Sequence, residues 1–252
     1  MDADGAVLRT DGLSLSIGGA RIVEDVSLSV RDGEFLAVIG PNGAGKTSLF
    51  NLLSGLCQPT AGRIELAGED VTGTPPSVRA RRGLARSFQV TSIFPTLTVL
   101  ENVRLAAQSR LGGSMHLWRR TGPGDEAVGR AQGALSLVGL EGQEGVLAAS
   151  LSHGNKRKLE LAIVLVLEPR VLLLDEPTAG MSVEDVPEIM GVVHEIQAAG
   201  TTVVMVEHRM DVVVDLAERI AVMHHGALLA CDTPEAVMGN ETVQTAYLGE
   251  SL

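Results

Sequence analysis

GPNGAGKT, residues 40–47, has the spacing G-x-x-x-x-G-K-[ST] of a phosphate-binding loop. The apolar run 35–39 before it predicts a buried strand, and residues 48–53 after it have helical periodicity. Where a strand turns into a helix, glycines let backbone N–H groups surround an anion beside the positive helix N-terminus. Lys46 can then reach the β- and γ-phosphates, and the Thr47 hydroxyl can ligate Mg²⁺. The alternative is a glycine-rich turn with a chance Lys-Thr pair, which the flanking strand and helix disfavour.

The composition allows one large core, or one domain with an attached lobe, within 252 residues. Hydrophobic residues make up 45% and aromatic residues only 2%, so the core must consist of Val, Leu, Ile and Ala. The formal charge of -11 argues against a nucleic-acid surface. A local group of arginines could meet a partner, but a solvated face is the favoured interpretation. These arginines are Arg79, Arg81, Arg82 and Arg86.

Two cysteines, Cys57 and Cys231, lie far apart without metal-ligand spacing, which is typical of a reducing compartment. The N-terminus lacks an apolar signal core. The longest uncharged apolar run, residues 161–167, is too short to span a bilayer. We therefore expect a chain that is soluble by itself and has any membrane role through a partner.

The first part of the chain predicts an antiparallel sheet. Residues 13–17 and 26–30 alternate apolar and polar side chains, and residues 62–68 form another half-buried strand candidate. From Gln89 to about residue 165 the pattern is mostly helical, with Thr98 as a plausible N-cap.

Continuous apolar runs alternate with helical patterns in the second part, which predicts a parallel sheet covered on both faces. These runs are residues 171–174, 202–206 and 220–223. Active groups in such folds lie just past the carboxyl ends of strands. Gly40, Asp175, Glu176 and His208 all occupy such positions.

A glycine- and proline-rich stretch, residues 109–125, predicts a loop. It contains Trp118, Arg119 and Arg120, which could touch a membrane surface or a partner protein. An ordinary exposed excursion is the favoured interpretation.

The Asp175-Glu176 pair can supply metal and base chemistry. A carboxylate at the strand end can hold Mg²⁺ opposite Thr47, usually through water. Glu176 could polarise a water for attack on the γ-phosphate. The alternative is a helix N-cap, with which Pro177 is compatible. The phosphate-binding loop upstream favours the catalytic interpretation.

Residues 151–155, LSHGN, precede a predicted helix with Ser152 as N-cap. The cations Lys156, Arg157 and Lys158 in its first turn have the wrong sign for the helix dipole. Such a helix start can indicate an awaited anion, or the long side chains can simply extend into water.

Taken together, these motifs resemble an ABC-type ATPase, the nucleotide-binding subunit of an ATP-driven transporter. GPNGAGKT matches the Walker A loop, the run ending in Asp175 matches Walker B, and Glu176 takes the catalytic glutamate position. Gln89 resembles the glutamine that senses Mg²⁺ and the attacking water and links to the permease. LSHGN resembles the signature LSGGQ, and His208 resembles the switch histidine that contacts the γ-phosphate. The match runs in the family's order over nearly the whole chain.

The resemblance implies an α/β fold, with a P-loop RecA-like parallel sheet core, an antiparallel β subdomain and an inserted α-helical subdomain. Residues 1–252 would form a single nucleotide-binding domain, with the core in residues 1–88 and 166–252 and the helical subdomain at about residues 89–165. It implies ATP and Mg²⁺ as bound species. Catalytic candidates are Glu176, His208 and Gln89, and metal-binding candidates are Thr47, Gln89 and Asp175. Nucleotide-binding candidates are Gly40, Pro41, Asn42, Gly43, Ala44, Gly45, Lys46, Thr47, Ser48, Ser152 and Gly154.

The resemblance also implies partners. Two ATPase subunits, identical or different, pair head to tail, with each ATP between one Walker A loop and the other signature. Integral membrane permease subunits bind the dimer on the inner face of the cell membrane, which makes the chain cytoplasmic and peripheral. An extracytoplasmic solute-binding protein acts indirectly, and no nucleic acid is involved.

Within the family, the chain is most similar to ATP-binding subunits of branched-chain amino acid importers. The similarity lies in residues 109–125, 180–185 and 243–249. Urea and short-amide importers and the lipopolysaccharide-export ATPase share parts of these segments. The resemblance therefore implies an ATPase that powers a membrane importer of branched-chain or other amino acids.

Two alternatives remain open. A soluble ABC-type ATPase of DNA maintenance or translation usually has long coiled-coil insertions or two ATPase domains, and this acidic chain has neither. A P-loop kinase or GTPase leaves LSHGN and His208 unexplained.

Four positions depart from the family pattern. His153 and Asn155 replace a glycine and the glutamine of the signature, which we expect to affect rates rather than abolish activity. Ile17 stands where an aromatic residue usually stacks on adenine, so nucleotide affinity is expected to be weaker. Ser182 replaces the usual aspartate of the D-loop, so communication across the dimer is expected to be affected.

Overall fold

The structure is a computed structural model that describes residues 5–87, 93–111 and 125–248. Its strands are β1 (Ala6–Ile17), β2 (Ala20–Arg31), β3 (Phe35–Ile39), β4 (Ala61–Leu66), β5 (Glu69–Asp70), β6 (Leu84–Arg86), β7 (Val171–Asp175), β8 (Thr202–Val206), β9 (Arg219–His224) and β10 (Ala227–Asp232). Its helices are α1 (Lys46–Ser54), α2 (Pro76–Arg81), α3 (Val99–Arg110), α4 (Glu126–Leu137), α5 (His153–Leu165), α6 (Val186–Ala198), α7 (Met210–Leu216), α8 (Pro234–Met238) and α9 (Glu241–Leu248), with a 3-10 turn at Ala148–Ser150.

The larger sheet has the strand order β10-β9-β3-β8-β7-β6. All neighbouring pairs are parallel except β9 and β10, which form an antiparallel hairpin. Every residue of β3, β7 and β8 is buried, as expected for strands with continuous apolar sequence. The predicted parallel sheet is confirmed, and the order places β3, β8 and β7 side by side.

The smaller sheet is antiparallel, with the order β2-β1-β4-β5. β1 and β2 are longer than the alternating runs predicted, because shifts of register between them accommodate residues that break the alternation. Their inward side chains join Leu49 and Phe50 of α1 in one hydrophobic cluster. The phosphate-binding loop thus leads into a helix that is anchored in a packed core.

Contacts divide the chain into two compact units. The first contains Met1–Arg86, Arg170–Glu176 and Gln197–Leu252, and therefore both sheets. The second contains Ser87–Pro169 and Pro177–Ile196, which includes α3, α4 and α5. The predicted helical subdomain, about residues 89–165, lies within the second unit, which also takes residues 177–196 from the later part of the chain.

Helix α3 begins as predicted. The Thr98 hydroxyl accepts a hydrogen bond from Glu101 N at 3.2 Å, and Glu101 Oε2 accepts from Thr98 N at 2.9 Å, which completes a capping box. The predicted loop at residues 109–125 is wrong at its start, because α3 continues to Arg110. Residues 112–124, with Trp118, Arg119 and Arg120, lie outside the described residues.

The prediction of a solvated arginine face is wrong for two of its four members. Arg79 is fully buried, and its guanidinium donates to the carbonyl oxygens of Leu52 and Leu53 at the C-terminus of α1. The Arg86 side chain is 7% exposed and pairs with Asp175. Hydrogen-bond acceptors from distant parts of the sequence hold both side chains inside, which no local charge pattern indicates.

Among residues 5–87, 93–111 and 125–248, no helix combines the length and apolar character needed to cross a membrane.

Candidate nucleotide-binding site

Two glycines of the phosphate-binding loop are required by close backbone approach. A Cβ on Gly40 would lie 2.2 Å from the Met223 carbonyl oxygen, and one on Gly45 would lie 2.7 Å from the Ile22 carbonyl oxygen. Both residues also have positive φ, at 152° and 96°. The loop therefore fits against the backbone of β9 and β2 only without side chains at these positions.

The start of α1 is open to an anion. Its N-cap is Gly45, no side chain caps it, and its first turn holds no acidic residue. The Thr47 side chain is exposed and Ser48 is half-buried. Because the first amide groups of a helix have no partner within the helix, this end offers donors and partial positive charge to a phosphate.

Lys46 lies within the loop. Its side chain is buried, and Nζ donates to the Gly40 carbonyl oxygen at 2.6 Å and to the Pro41 carbonyl oxygen at 2.8 Å. Burial lowers the pKa of Lys46, while the charges of Glu176 and Asp175 act in the opposite direction. A cation is thus placed at the loop and is influenced by both strand-end carboxylates.

Asp175 ends β7 and is almost completely buried, with a side chain 2% exposed. Its Oδ2 accepts a hydrogen bond from Arg86 Nη2 at 2.6 Å. Its Oδ1 is buried and has no hydrogen-bond partner among the described residues. A buried carboxylate oxygen without a donor fits the role of an acceptor for a metal-bound water. The exposed Thr47 hydroxyl is an oxygen atom that could bind the metal directly.

Glu176 and His208 are in direct contact. His208 Nε2 lies 2.9 Å from Glu176 Oε1, and their side chains are 44% and 27% exposed. The backbone of Glu176 has φ of 48°, a left-handed conformation that is uncommon for residues other than glycine. Its N–H donates to the Val206 carbonyl oxygen at 2.9 Å, which holds this turn beside β8.

The N-cap alternative for the Asp-Glu pair is not observed. Turns follow Glu176, and the next helix, α6, begins only at Val186. The strained backbone at Glu176 therefore has no role in helix capping, and strain of this kind is frequent at functional sites.

The first unit brings together the candidates that follow parallel strands. The loop follows β3, His208 follows β8, and Asp175 and Glu176 stand at the end of β7. These strands are direct neighbours in the order β3-β8-β7. Gln89, the remaining candidate for catalysis and metal binding, lies outside the described residues.

The signature residues belong to the second unit. Ser152 caps α5 as predicted, accepting from Asn155 N at 3.3 Å, and a Cβ on Gly154 would meet no atom within 4 Å. The cations that follow are paired with carboxylates: Lys158 with Glu188 at 2.6 Å and Arg157 with Glu160 at 2.8 Å. These pairs offset two of the three charges, so those two cations neither extend freely into water nor require an external anion.

The other departures from the family pattern can also be located. Ile17 is 61% exposed at the end of β1. Asn155 Nδ2 lies 3.4 Å from Gln143 Oε1, and His153 is exposed at the start of α5. The Ser182 hydroxyl donates to Asp185 at 2.8 Å.

Sequence reasoning missed two supports of the site. Arg86 joins Asp175 to Asn51 of α1, and the only signal in the sequence was an arginine a few residues before Gln89. Gly226 N donates to the Ala44 carbonyl oxygen at 3.1 Å, so the β9–β10 turn holds the loop. This contact of Gly226 with the loop has no signal in the sequence.

Known proteins match the chain along its length. The family described as ABC transporter matches residues 23–179. A family described as branched-chain amino acid ATP-binding cassette transporter matches residues 227–252.

Individual relatives are similar in sequence and in structure. The chain is 37% identical to the high-affinity branched-chain amino acid transport ATP-binding protein LivG of Salmonella typhimurium, over 97% of this chain and 98% of that protein. The crystal structure of MJ1267 in its ADP conformation, an ATP-binding cassette of an ABC transporter, has a TM-score of 0.85 at 28% identity, over 97% of this chain and 99% of that one. The dimeric post-hydrolysis structure of the ATP-binding cassette MJ0796, bound to ADP and Pi, has a TM-score of 0.73 at 25% identity, over 90% of this chain and 98% of that one.

Proposed function

Because the chain belongs to the ABC transporter family of ATP-binding cassettes, which hydrolyse ATP, we propose that it powers an importer of branched-chain amino acids. The similarity to LivG and the match at residues 227–252 support this solute class. Cassettes of the family function as dimers and partner with membrane permease components. The working complex would then stand on the inner face of the membrane and receive solute from an extracytoplasmic binding protein.

One observation carries the proposal for the site: the phosphate-binding loop, the Asp175-Glu176 pair and His208 follow three adjacent parallel strands. The first unit therefore holds a phosphate cradle, a metal-binding carboxylate, a candidate base and a histidine at one edge of one sheet. Few functions other than nucleoside triphosphate hydrolysis need this set together.

The loop residues bind and orient the triphosphate. Backbone N–H groups at the start of α1 donate to phosphate oxygens, and Lys46 moves from its carbonyl acceptors to the β- and γ-phosphates. The burial of Lys46 excludes water from this contact, which strengthens it.

Thr47 and Asp175 would hold Mg²⁺, with Gln89 as a further candidate. Bound there, Mg²⁺ would offset the negative charge that develops on the phosphate oxygens. Asp175 would contribute Oδ1, which has no hydrogen-bond partner within residues 5–87, 93–111 and 125–248, toward a metal-bound water. Thr47 contributes a hydroxyl that is exposed at the start of α1.

Glu176 would act as the base. Its carboxylate would accept the proton of the attacking water while the water oxygen bonds to the γ-phosphorus and the bond from this phosphorus to the β–γ bridging oxygen breaks, which releases ADP. His208 holds Oε1 of this carboxylate at 2.9 Å, which fixes the side chain in a partly exposed position. The same imidazole can contact a γ-phosphate oxygen, so it would connect the base with the phosphate.

Ser152 and Gly154 would act on a second copy. The Ser152 hydroxyl and the open backbone at Gly154 stand at the N-terminus of α5, where donors to an anion are expected. In the head-to-tail dimer this terminus would face the γ-phosphate held by the partner. ATP binding would close the dimer, and hydrolysis would open it.

A pull-down tests the assembly. A tagged full-length chain carrying Glu176→Gln is recovered from native membranes in Mg-ATP. The control is the Lys46→Ala chain, which should not bind ATP tightly and therefore should not form the closed dimer. We expect polytopic permease subunits, and a second ATPase subunit where the dimer is mixed. Recovery of only nucleic-acid or ribosomal partners would contradict the transporter assignment.

A further inference from the structure

We propose that Arg86 is a positioning residue that holds Asp175 at a fixed position relative to α1, the helix that follows the phosphate-binding loop. Asp175 and Thr47 are then both correctly placed to bind the nucleotide-bound metal. The inference rests on the function proposed above and adds a residue to the same site.

The side chain of Arg86 joins two parts of the first unit. Arg86 ends β6, the edge strand beside β7, and its Nη2 donates to Asp175 Oδ2 at 2.6 Å. Its Nη1 donates to Asn51 Oδ1 at 2.8 Å and to Ser54 Oγ at 3.0 Å. One guanidinium therefore connects the strand-end carboxylate to α1.

The connection is rigid. The two nitrogens of a planar guanidinium keep a fixed separation, so Asp175 and Asn51 are held at a fixed distance from one another. The side chain is 7% exposed, and its guanidinium carbon lies 5.8 Å from the centre of the Phe50 ring, so packing restricts its movement. Asn51 stands about one helical turn after Thr47, and Arg86 thereby fixes Asp175 relative to the Thr47 end of α1.

Arg86 also selects which oxygen of Asp175 remains available. Oδ2 is taken by the guanidinium, and Oδ1 is buried without a hydrogen-bond partner in the described part of the chain. A buried carboxylate held by one oxygen is restricted in its orientation, and its other oxygen is left for the metal-bound water. A lysine at position 86 could keep the positive charge but could not reach both acceptors at once.

A purely structural ion pair is the competing explanation, because breaking any buried pair destabilises the fold. Arg79 provides the matched control for this possibility. Arg79 is fully buried and also binds α1, but its guanidinium donates to the backbone carbonyl oxygens of Leu52 and Leu53, which lie between the two residues that Arg86 contacts. Replacement by lysine at either position removes the two-pronged donor geometry of the guanidinium. Of the two arginines, Arg86 is the one that contacts Asp175, the proposed metal ligand.

The test measures how strongly Mg²⁺ increases ATP affinity. Full-length chains carrying Glu176→Gln, which should slow turnover about a hundredfold or more, are titrated with ATP by calorimetry in excess Mg²⁺ and in EDTA. We expect Arg86→Lys to reduce the Mg²⁺-dependent gain about tenfold or more, the usual scale for an outer-shell partner, while affinity in EDTA is unchanged. Arg79→Lys should lower the midpoint of thermal unfolding and leave the gain as in the parent chain.

Four results would overturn the inference. The Arg86→Lys chain could keep the parent's Mg²⁺-dependent gain, or it could lose affinity equally in Mg²⁺ and in EDTA, as a general structural defect would. A parent chain that binds ATP without any gain from Mg²⁺ would overturn the metal site of the proposed function and the inference with it. If Arg86→Lys does not fold, a chain carrying both Asn51→Ala and Ser54→Ala decides, because it removes both anchors of Arg86 on α1 and leaves the Asp175 pair. A gain equal to that of the parent would then refute the proposal.

Discussion

His208 Nε2 lies 2.9 Å from Glu176 Oε1, so side chains that follow the neighbouring strands β7 and β8 meet directly. The contact orients a carboxylate whose backbone already adopts an uncommon left-handed conformation. The proposed base and His208 are thus a contacting pair rather than two separate groups beside the phosphate-binding loop. The predictions for hydrolysis follow from this pairing.

Glu176→Gln should bind ATP and hydrolyse it at least about a hundredfold more slowly, because the amide cannot accept the proton of the attacking water. Steady-state phosphate release measures the rate, and calorimetry measures the binding. The control is Glu241→Gln at an exposed position of α9. Near-normal turnover of the Glu176→Gln chain would remove this residue from its role.

The effects of His208→Ala and Glu176→Gln on hydrolysis should not add, because the two side chains are in contact. Once Glu176 is replaced, removing His208 should slow the residual reaction much less than it slows the wild-type reaction. A double-mutant cycle of phosphate release rates gives the comparison. Fully independent effects would mean that the histidine acts on the phosphate alone and does not position the base.

Lys46→Ala should abolish tight nucleotide binding, because it removes the buried ammonium group. This group donates to loop carbonyl oxygens in the structure and would bind the phosphates of the nucleotide. Titration at a protein concentration that keeps the chain monomeric measures the affinity. Lys156→Ala, a half-buried lysine of α5, is the control and should leave this affinity unchanged. Equal affinities for the Lys46→Ala and wild-type chains would argue against the phosphate-binding loop.

Gly40→Ala should displace the loop, because the new Cβ would stand 2.2 Å from the Met223 carbonyl oxygen. We expect weaker nucleotide binding and a loss of about 1–3 kcal/mol in unfolding free energy, the cost of overpacking. Gly129→Ala in α4 meets no atom within 4 Å and should instead stabilise the chain by up to about 1 kcal/mol. The two variants are compared by denaturant unfolding, and a neutral Gly40→Ala would contradict the tight fit of the loop.

The capping box of α3 should contribute pH-dependent stability. Hydrogen bonds from the Thr98 backbone and hydroxyl lower the pKa of Glu101 in the folded chain. This stabilisation is therefore fully present above the unfolded pKa of about 4.3 and is lost as pH falls through the lower folded pKa. The difference in unfolding free energy between the wild-type and Glu101→Gln chains should be largest near pH 7 and shrink below about pH 4.3.

Thr98→Ala removes the other half of the box and should cost about 1 kcal/mol at neutral pH. Urea unfolding at several pH values measures both variants. A wild-type advantage over Glu101→Gln that does not change with pH would show that the ionised carboxylate is not the stabilising group.

Local sequence patterns predicted the parts of the fold that depend on neighbours in the chain. Residues 35–39 and 202–206 are strands with the predicted bounds, and Thr98 and Ser152 cap their helices. Each of these outcomes follows from a few adjacent side chains. The edge of the sheet where the loop meets the carboxylates was also predictable, because apolar strands and their polar ends alternate regularly.

Contacts between distant residues were not predictable in the same way. Arg79 and Arg86 looked like solvated cations, but carbonyl groups at the end of α1 and the carboxylate of Asp175 hold them inside. Lys158 pairs with Glu188, which is 30 positions away in the sequence. The positive charge of Lys158 at the start of α5 is therefore offset within the chain and does not indicate an awaited anion. Charge patterns along the chain carry no information about acceptors that only folding brings near.

Uptake of labelled amino acids tests the central claim most directly. Cells of the source organism lacking this gene are complemented with the wild-type chain or with Glu176→Gln, and uptake of leucine, isoleucine and valine is measured against an unrelated amino acid. We expect the wild-type chain alone to restore uptake of the branched-chain amino acids. Equal uptake with and without the gene, or equal rescue by the Glu176→Gln chain, would contradict the claim that ATP hydrolysis by this chain powers their import.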